Sequence, residues 1–166
     1  VEAIRSLQQS CRPAVIIADN NALKVWSTPR PGELYVIGAD VAEGRDAGND
    51  ELDYDAAVVM EWRSAAVVAT LRGQWGLDTY AKYLKDLATQ YNCALLGVER
   101  NNHGHAILEH LRHNAALQYS NLYYHDESDP LTQRDGKSKL VAGWPTTSVT
   151  KPVMISELAA WISAQA

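Results

Sequence analysis

Residues 34–40 read Leu-Tyr-Val-Ile-Gly-Ala-Asp, an apolar run that ends in a carboxylate. The length of this run and its Tyr, Val and Ile content predict a strand buried on both faces and central in a sheet. Two further apolar runs, at 56–62 and 65–75, are separated only by Arg63 and Ser64, which predicts an antiparallel hairpin. The acidic, glycine-containing stretch at 41–53 is expected to form a loop between the first two strands.

The rest of the chain alternates helical and strand patterns. Apolar residues recur at helical spacing in 77–91 and 102–116, and short apolar runs at 94–98 and 121–124 predict two more strands. Thr150 is expected to cap a last helix. The stripe that this helix is expected to bury comprises Met154, Leu158, Trp161 and Ile162. This order favours an α/β fold with a mixed five-stranded sheet, whose first three strands are antiparallel and whose helices flank both faces.

The first 31 residues differ in pattern from the remainder. Residues 27–32 contain two prolines and a glycine, which end whatever element precedes them. We interpret 1–31 as a connector from a longer chain, with a short strand around 22–26, and 32–166 as the main domain. The chain starts without Met and ends directly after a helical pattern, so we expect it to be part of a longer protein.

The composition is that of a globular domain and excludes several classes of function. The chain has 166 residues and a formal net charge of −5, which argues against DNA binding by the whole surface but allows a local basic face. Cys11 and Cys93 match no metal-binding or redox spacing, and reduced thiols fit an intracellular protein. No apolar run is long enough to span a membrane, and no signal-peptide pattern occurs.

Two acids stand out by position. Asp40 ends the first predicted strand and Glu99 ends the fourth, so the two carboxylates lie side by side if these strands are parallel neighbours. Two adjacent carboxylates repel each other unless something neutralises them, and a divalent cation such as Mg²⁺ does so. Two such ions can activate a water and stabilise the leaving oxygen in phosphodiester cleavage. The alternative is that each acid faces solvent at a strand end.

Other polar residues could extend such a site. Asp53 and Asp55 begin the second strand, so either could reach a metal directly or through water, whereas the remaining acids of the loop are expected to be solvated. His103 and His105 follow Glu99 at the start of a helix, where they could contact phosphate or only cap and pack. Basic residues would hold DNA phosphates without reading sequence, or would belong to a solvated loop. These basic candidates are Arg100, Arg134, Lys137, Lys139 and Lys151. His125 is expected at the surface, and Trp144 is expected to pack.

Three segments resemble the nuclease domain of the phage terminase large subunit. They are residues 35–44 together with 53–59, residues 95–106, and residues 143–152 with the helix that follows. The sequence Glu-Arg-Asn-Asn-His-Gly at 99–104 is the most specific part. The resemblance implies an RNase H-like fold and an endonuclease that cuts concatemeric viral double-stranded DNA during genome packaging with Mg²⁺ or Mn²⁺.

The resemblance also implies residue roles and partners. Asp40 and Glu99 become the catalytic metal ligands, Asp53 becomes an auxiliary ligand, and the complete site holds two ions. The implied partners are double-stranded DNA, an ATPase domain of the same full-length chain, the portal protein and the small terminase subunit. The implied location is the cytoplasm of the infected host cell, transiently at the procapsid portal.

The chain departs from the family pattern at its end. That pattern closes with a further acidic segment after the last helix, which this sequence does not reach. We therefore expect 32–166 to be a C-terminally truncated nuclease domain with weak or no activity. Two alternatives remain: a non-catalytic docking or DNA-binding domain of the packaging motor, and an RNase H-like resolvase or recombination nuclease. The segment at 99–105 favours the terminase over the resolvase.

Overall fold

The computed structural model of the protein describes residues 11–42, 53–100, 103–128 and 139–165. Within these residues it contains eight strands and three α-helices. The strands are β1 (Ile16–Ala18), β2 (Leu23–Val25), β3 (Tyr35–Asp40), β4 (Asp55–Glu61), β5 (Val67–Gly73), β6 (Leu95–Val98), β7 (Tyr124–Asp126) and β8 (Leu140–Ala142). The helices are α1 (Leu77–Gln90), α2 (Gly104–His113) and α3 (Thr150–Gln165).

Six of the strands form one mixed sheet in the order β1-β2-β5-β4-β3-β6. The pair β3 and β6 is parallel, whereas the other neighbours in this sheet are antiparallel. The predicted fold class is confirmed, with β3, β4 and β5 as its antiparallel strands. The sheet also contains β1 and β2, which come from the segment interpreted as a connector; β2 lies where a short strand was expected.

The outer edge of β6 is completed by two short segments rather than by a full fifth strand at 121–124. Leu122 makes a single parallel bridge to Leu96, and Trp144 makes another to Glu99. The N–H of Trp144 donates to the Val98 carbonyl at 2.9 Å, and the Arg100 N–H donates to the Trp144 carbonyl at 2.8 Å. The chain leaves the sheet after Leu122 because β7 pairs with β8 in a separate antiparallel ribbon.

The core lies on one face of the sheet. The buried cluster contains alternate residues of β3, such as Tyr35, Ile37 and Ala39, together with inward residues of α1 and α2. The expectation that the first strand is buried on both faces was wrong, because Gly38 and Asp40 point to the other face and are exposed. That second face is therefore open enough to hold a site.

Helix α3 stands at the second face, and its predicted buried stripe was also wrong. Met154 is 45% exposed and Leu158 is 56% exposed. Met154 and Ile155 line a cavity of about 700 Å³ together with Gly38 and Val58 of the sheet. The helical period identifies apolar positions but not the surface that they meet. No helix in the described ranges is long and apolar enough to cross a membrane.

The start of α3 is capped by Thr147 rather than by Thr150. The Thr147 hydroxyl accepts the N–H of Thr150 at 3.0 Å and the N–H of Val149 at 3.2 Å. Thr150 is buried, and its own hydroxyl donates to the Pro145 carbonyl at 2.8 Å. The cap lies three residues earlier because its oxygen must face the free N–H groups of the first turn.

Candidate metal centre

The parallel pairing of β3 and β6 brings Asp40 and Glu99 together. The register aligns Ala39 with Val98, and the Glu99 N–H donates to the Ala39 carbonyl at 2.8 Å. The next side chains on both strands line the same cavity, and the Glu99 carboxyl group is close enough to raise the pKa of Asp40. Two neighbouring carboxylates repel each other when both are charged, which favours a proton or a cation at the pair.

The surroundings of Asp40 disfavour its charged form. Burial of the carboxyl group raises the pKa of Asp40 to about 7, and the hydrogen bond and charge of Glu99 act in the same direction. The backbone N–H of Val41 opposes the shift, and the nearby charge of Asp53 adds to it. The Asp40 residue as a whole is open to solvent, whereas the protein around its carboxyl group removes part of the hydration.

Asp53 and Asp55 have different surroundings. Asp53 is exposed, its carboxylate accepts the Tyr54 N–H at 2.9 Å, and its charge is felt at Asp40. Asp55 is 3% exposed, and its two oxygens accept the N–H groups of Ala42 at 3.0 Å and Trp75 at 3.2 Å. Asp53 therefore lies near the acid pair, while Asp55 is turned towards the backbone.

The two histidines of the sequence prediction lie at the start of α2. His103 Nδ1 is 2.9 Å from the Ala42 carbonyl, which can only accept, so this nitrogen carries the hydrogen. His103 thus links the chain after Glu99 to the chain after Asp40. His105 is exposed in the first turn of the helix.

The basic candidates are scattered. Lys151 lines the cavity that also contains Asp40 and Glu99, and Lys139 is exposed at the start of β8. The guanidinium of Arg100 pairs with Glu127 at 2.9 Å, and only 11% of the Arg100 side chain is exposed. This ion pair makes Arg100 a poor candidate for contact with a DNA phosphate. Arg134 and Lys137 lie outside the described residues.

An aromatic cluster beside the acids was missed by the sequence reasoning. His125 is 4% exposed, not at the surface as expected, and its Nδ1 is 3.1 Å from the Tyr123 hydroxyl. Its ring meets that of Trp144 edge-on at 5.0 Å. Tyr123 and Trp144 line the cavity with Glu99. The pairing depends on two segments far apart in the chain, which no local pattern could have indicated.

Gly104, the first residue of α2, packs directly against the Glu99 carbonyl. A Cβ atom at Gly104 would lie 1.8 Å from the Glu99 carbonyl oxygen, far inside any permitted contact. Only glycine lets α2 begin directly against this carbonyl. The motif at 99–104 is thus explained by packing as well as by chemistry.

The donor set suits a hard divalent cation. Mg²⁺ is bound by few carboxylates and keeps several waters, so Asp40 and Glu99 could hold such an ion, with Asp53 nearby. Within the ranges that the structure describes, no group of three or more His, Cys, Asp or Glu residues is arranged to hold a metal. The described protein ligands therefore amount to an acid pair, and waters or substrate would complete the coordination.

The fold is similar to that of the nuclease domains of phage large terminases. The magnesium-bound nuclease of thermophilic phage G20c superposes with a TM-score of 0.62 and 20% identity over 90% of this chain and 65% of that chain. The zinc-bound form gives 0.59 and 21% identity over 98% and 77%. The Thermus phage P74-26 nuclease domain gives 0.58 and 20% identity over 90% and 63%.

The present chain thus spans about two thirds of the length of these solved domains. No protein-family model matches the sequence. No curated protein matches it either. At this level of identity the likeness shows the fold alone, and the chemistry must be argued from the residues.

Proposed function

We propose that this chain is the metal-dependent endonuclease domain of a viral DNA-packaging terminase, which cuts concatemeric double-stranded DNA. The single observation that carries the proposal is the contact between the Asp40 and Glu99 carboxyl groups at the ends of parallel strands. These acids open into a cavity between the second face of the sheet and α3, where a DNA backbone can approach. Structural neighbours with bound magnesium, cobalt and zinc support the use of a divalent cation.

The residues that would hold Mg²⁺ or Mn²⁺ are Asp40 and Glu99, with Asp53 as an auxiliary ligand, and the complete site would take two ions. Bound metal would activate a water for attack on the phosphodiester and stabilise the leaving oxygen. The chain itself would supply the negative charges that bind the ion and the strands that position them. Asp40, whose pKa is raised to about 7, would lose its proton when the ion binds, and the parallel strands place the two acids next to each other.

Contacts with DNA would be local and independent of sequence. Lys151 enters the cavity beside the acids, so it is the lysine best placed to meet a phosphate there. Lys139 and His105 are exposed and would extend the basic contacts, as would Arg134 and Lys137. Because Lys and Arg contacts release counterions from the phosphates, binding should weaken as salt is raised.

The wider setting of the activity follows from the same proposal. An ATPase domain in the same full-length chain would drive packaging, and the portal protein and small terminase subunit would be its partners. The protein would act in the host cytoplasm, transiently at the procapsid portal.

The proposal is tested by removing one carboxylate. Asp40→Asn in the full-length protein should abolish Mg²⁺- or Mn²⁺-dependent plasmid cutting and leave ATP hydrolysis largely intact. Asp86→Asn is the matched control, because Asp86 is half exposed and pairs with Lys82 on α1. Cutting by Asp40→Asn at the rate of the control would contradict the proposal, whereas equal loss of both activities would indicate misfolding.

The chain alone should cut weakly or not at all. The described residues offer no group of three metal ligands, and two carboxylates hold a divalent ion less firmly than a larger set. A plasmid-nicking assay of residues 1–166 with Mn²⁺ measures this directly. Robust cutting would contradict this expectation while supporting the nuclease itself.

A docking or DNA-binding domain without catalysis is the second candidate, and the lack of a three-ligand group among the described residues favours it. Crystals soaked in Mn²⁺ separate the two functions. An ion between Asp40 and Glu99 supports the nuclease, and no ion at high concentration supports docking. A resolvase would instead prefer branched DNA to linear duplex in a cutting assay.

A further inference from the structure

Ala42 follows Asp40 by two residues, and both its backbone N–H and its backbone carbonyl are hydrogen-bonded to side chains. The Ala42 N–H donates to Asp55 Oδ1 at 3.0 Å, and the Ala42 carbonyl accepts the Nδ1 hydrogen of His103 at 2.9 Å. Asp55 comes from the start of β4 and His103 from the residue before α2. We call this arrangement, Asp55–Ala42–His103, the Ala42 clamp. It joins three segments at the point where the chain leaves β3.

A second set of contacts links Asp55 to the Asp40 carbonyl through Trp75 and Tyr80. The other oxygen of Asp55 accepts the Trp75 N–H at 3.2 Å, and the Trp75 ring stacks on Tyr80 with centroids 5.6 Å apart. The hydroxyl of Tyr80, which is fully buried, lies 3.1 Å from the Asp40 carbonyl and 2.7 Å from that of Ala56. The Asp40 carbonyl and the backbone of Ala42 are therefore both linked to Asp55, the first through Tyr80 and Trp75 and the second directly.

Asp55 is an unusual residue for such a buried place. Burial raises the pKa of Asp55, since a carboxylate loses hydration there, and its two backbone hydrogen bonds oppose this shift. A buried carboxylate destabilises a fold unless its oxygens are satisfied. Hydrogen bonds to a charged acceptor are shorter and stronger than neutral ones, so they fix the donors more firmly. The two hydrogen bonds that Asp55 accepts thus satisfy its buried oxygens and fix the positions of Ala42 and Trp75.

We propose that Asp55 is a positioning residue of the metal centre, which acts with His103 through Ala42 to fix the direction of the Asp40 carboxylate. In this role Asp55 positions the ligands and does not itself ligate the metal, because it is buried and does not line the cavity that contains Asp40 and Glu99. The inference rests on the proposed function, in which Asp40 and Glu99 bind a divalent cation. Fixing a ligand in advance removes the need to order it when the ion binds.

The first test is the affinity for Mn²⁺, measured by calorimetry on the folded protein. Asp55→Asn keeps the size of the side chain but places an amide group against one of the two N–H donors. We expect it to weaken Mn²⁺ binding by about 10- to 100-fold, the range usual for residues that orient a ligand. At saturating Mn²⁺, a crystal structure should show the ion between Asp40 and Glu99, and none at residue 55.

Variants of His103 test the clamp without changing a buried charge. His103→Gln retains an N–H donor for the Ala42 carbonyl, and His103→Phe removes it. We expect the Gln variant to bind Mn²⁺ more tightly than the Phe variant. Thermal unfolding in EDTA separates this effect from a general loss of stability. If Asp55→Asn does not fold, the two His103 variants decide the matter.

The outcomes distinguish this inference from the proposed function. Loss of Mn²⁺ binding in Asp40→Asn, with binding by the unchanged chain, establishes the acid pair as the site. Folded Asp55→Asn and His103→Phe that then bind Mn²⁺ like Asp86→Asn would overturn the positioning role alone. An ion bound directly by Asp55 would also overturn it. No binding by the unchanged chain would overturn both proposals.

Discussion

The surroundings of Asp40 in the acid pair favour its protonated form when no cation is present. The ordinary pKa of an aspartate is 3.8, and burial and Glu99 raise that of Asp40 to about 7. Between these values the folded protein binds a proton that the unfolded chain has released. The free energy of unfolding of the metal-free protein should therefore fall as the pH rises from about 4 to about 7.

Competition between this proton and a metal ion is measurable. We expect the apparent affinity for Mn²⁺ to rise between about pH 6 and about pH 8, by up to about tenfold per pH unit while Asp40 is still protonated. Calorimetry in buffers of different ionisation enthalpy should show proton release on binding. An affinity that does not change with pH would contradict the raised pKa of Asp40.

Gly104 provides a second prediction for single residues. Gly104→Ala places a Cβ atom against the Glu99 carbonyl, so the backbone must shift, at a cost of about 1–3 kcal/mol. Gly76→Ala is the control, because nothing lies within 4 Å of a Cβ there and its φ is −71°. Urea unfolding compares the two variants. Equal stabilities of the two variants would contradict the close packing of Gly104 against the Glu99 carbonyl.

The sequence indicates single residues of the site where the signal is local. Asp40 and Glu99 each follow an apolar run, so the strand ends could be predicted from their neighbours in the chain. The orientation of Asp55 depends on the backbone donors of Ala42 and Trp75, which only the folded chain brings to it. The burial of His125 has the same origin in distant aromatic partners.

Among the elements, α3 is capped by Thr147, whereas the sequence pattern had indicated Thr150. Thr147→Ala should lower the stability of the first turn of α3 by about 1 kcal/mol, because the N–H groups of Val149 and Thr150 lose their acceptor. Faster hydrogen exchange in that turn is the measurement. Ser148→Ala is the control, and an equal effect in both variants would contradict the assignment of the cap.

The elements differ in how well their sequences predict them. The helix at α3 follows from its apolar spacing, but its exposure does not, because a period carries no information about the packing partner. The three-residue strand β1 was missed because it exists through its pairing with β2, which in turn pairs with β5. Short edge strands owe their form to tertiary contacts rather than to their own residues.

At the scale of the molecule, α3 exposes several large apolar side chains among the described residues, namely Val153, Met154, Ile155, Leu158 and Trp161. Such a surface should bind hydrophobic dyes and promote self-association. Val153→Glu together with Leu158→Lys should reduce both effects, as seen by dye fluorescence and sedimentation. Neither residue lines the cavity, so the affinity for Mn²⁺ should stay unchanged. Weaker metal binding in this double variant would contradict the expectation that the positions of α3 outside the cavity do not affect the acid pair.

The parallel pairing of β3 with β6 also governs when the acids first meet. Parallel strands cannot be joined by a tight turn, and here the connection runs through β4, β5 and α1. Contacts between distant parts of a chain form late in folding. A growing polypeptide that has emerged only as far as α1 carries Asp40 without Glu99. The acid pair is therefore completed only after the chain beyond α1 has been synthesised and β6 has paired with β3.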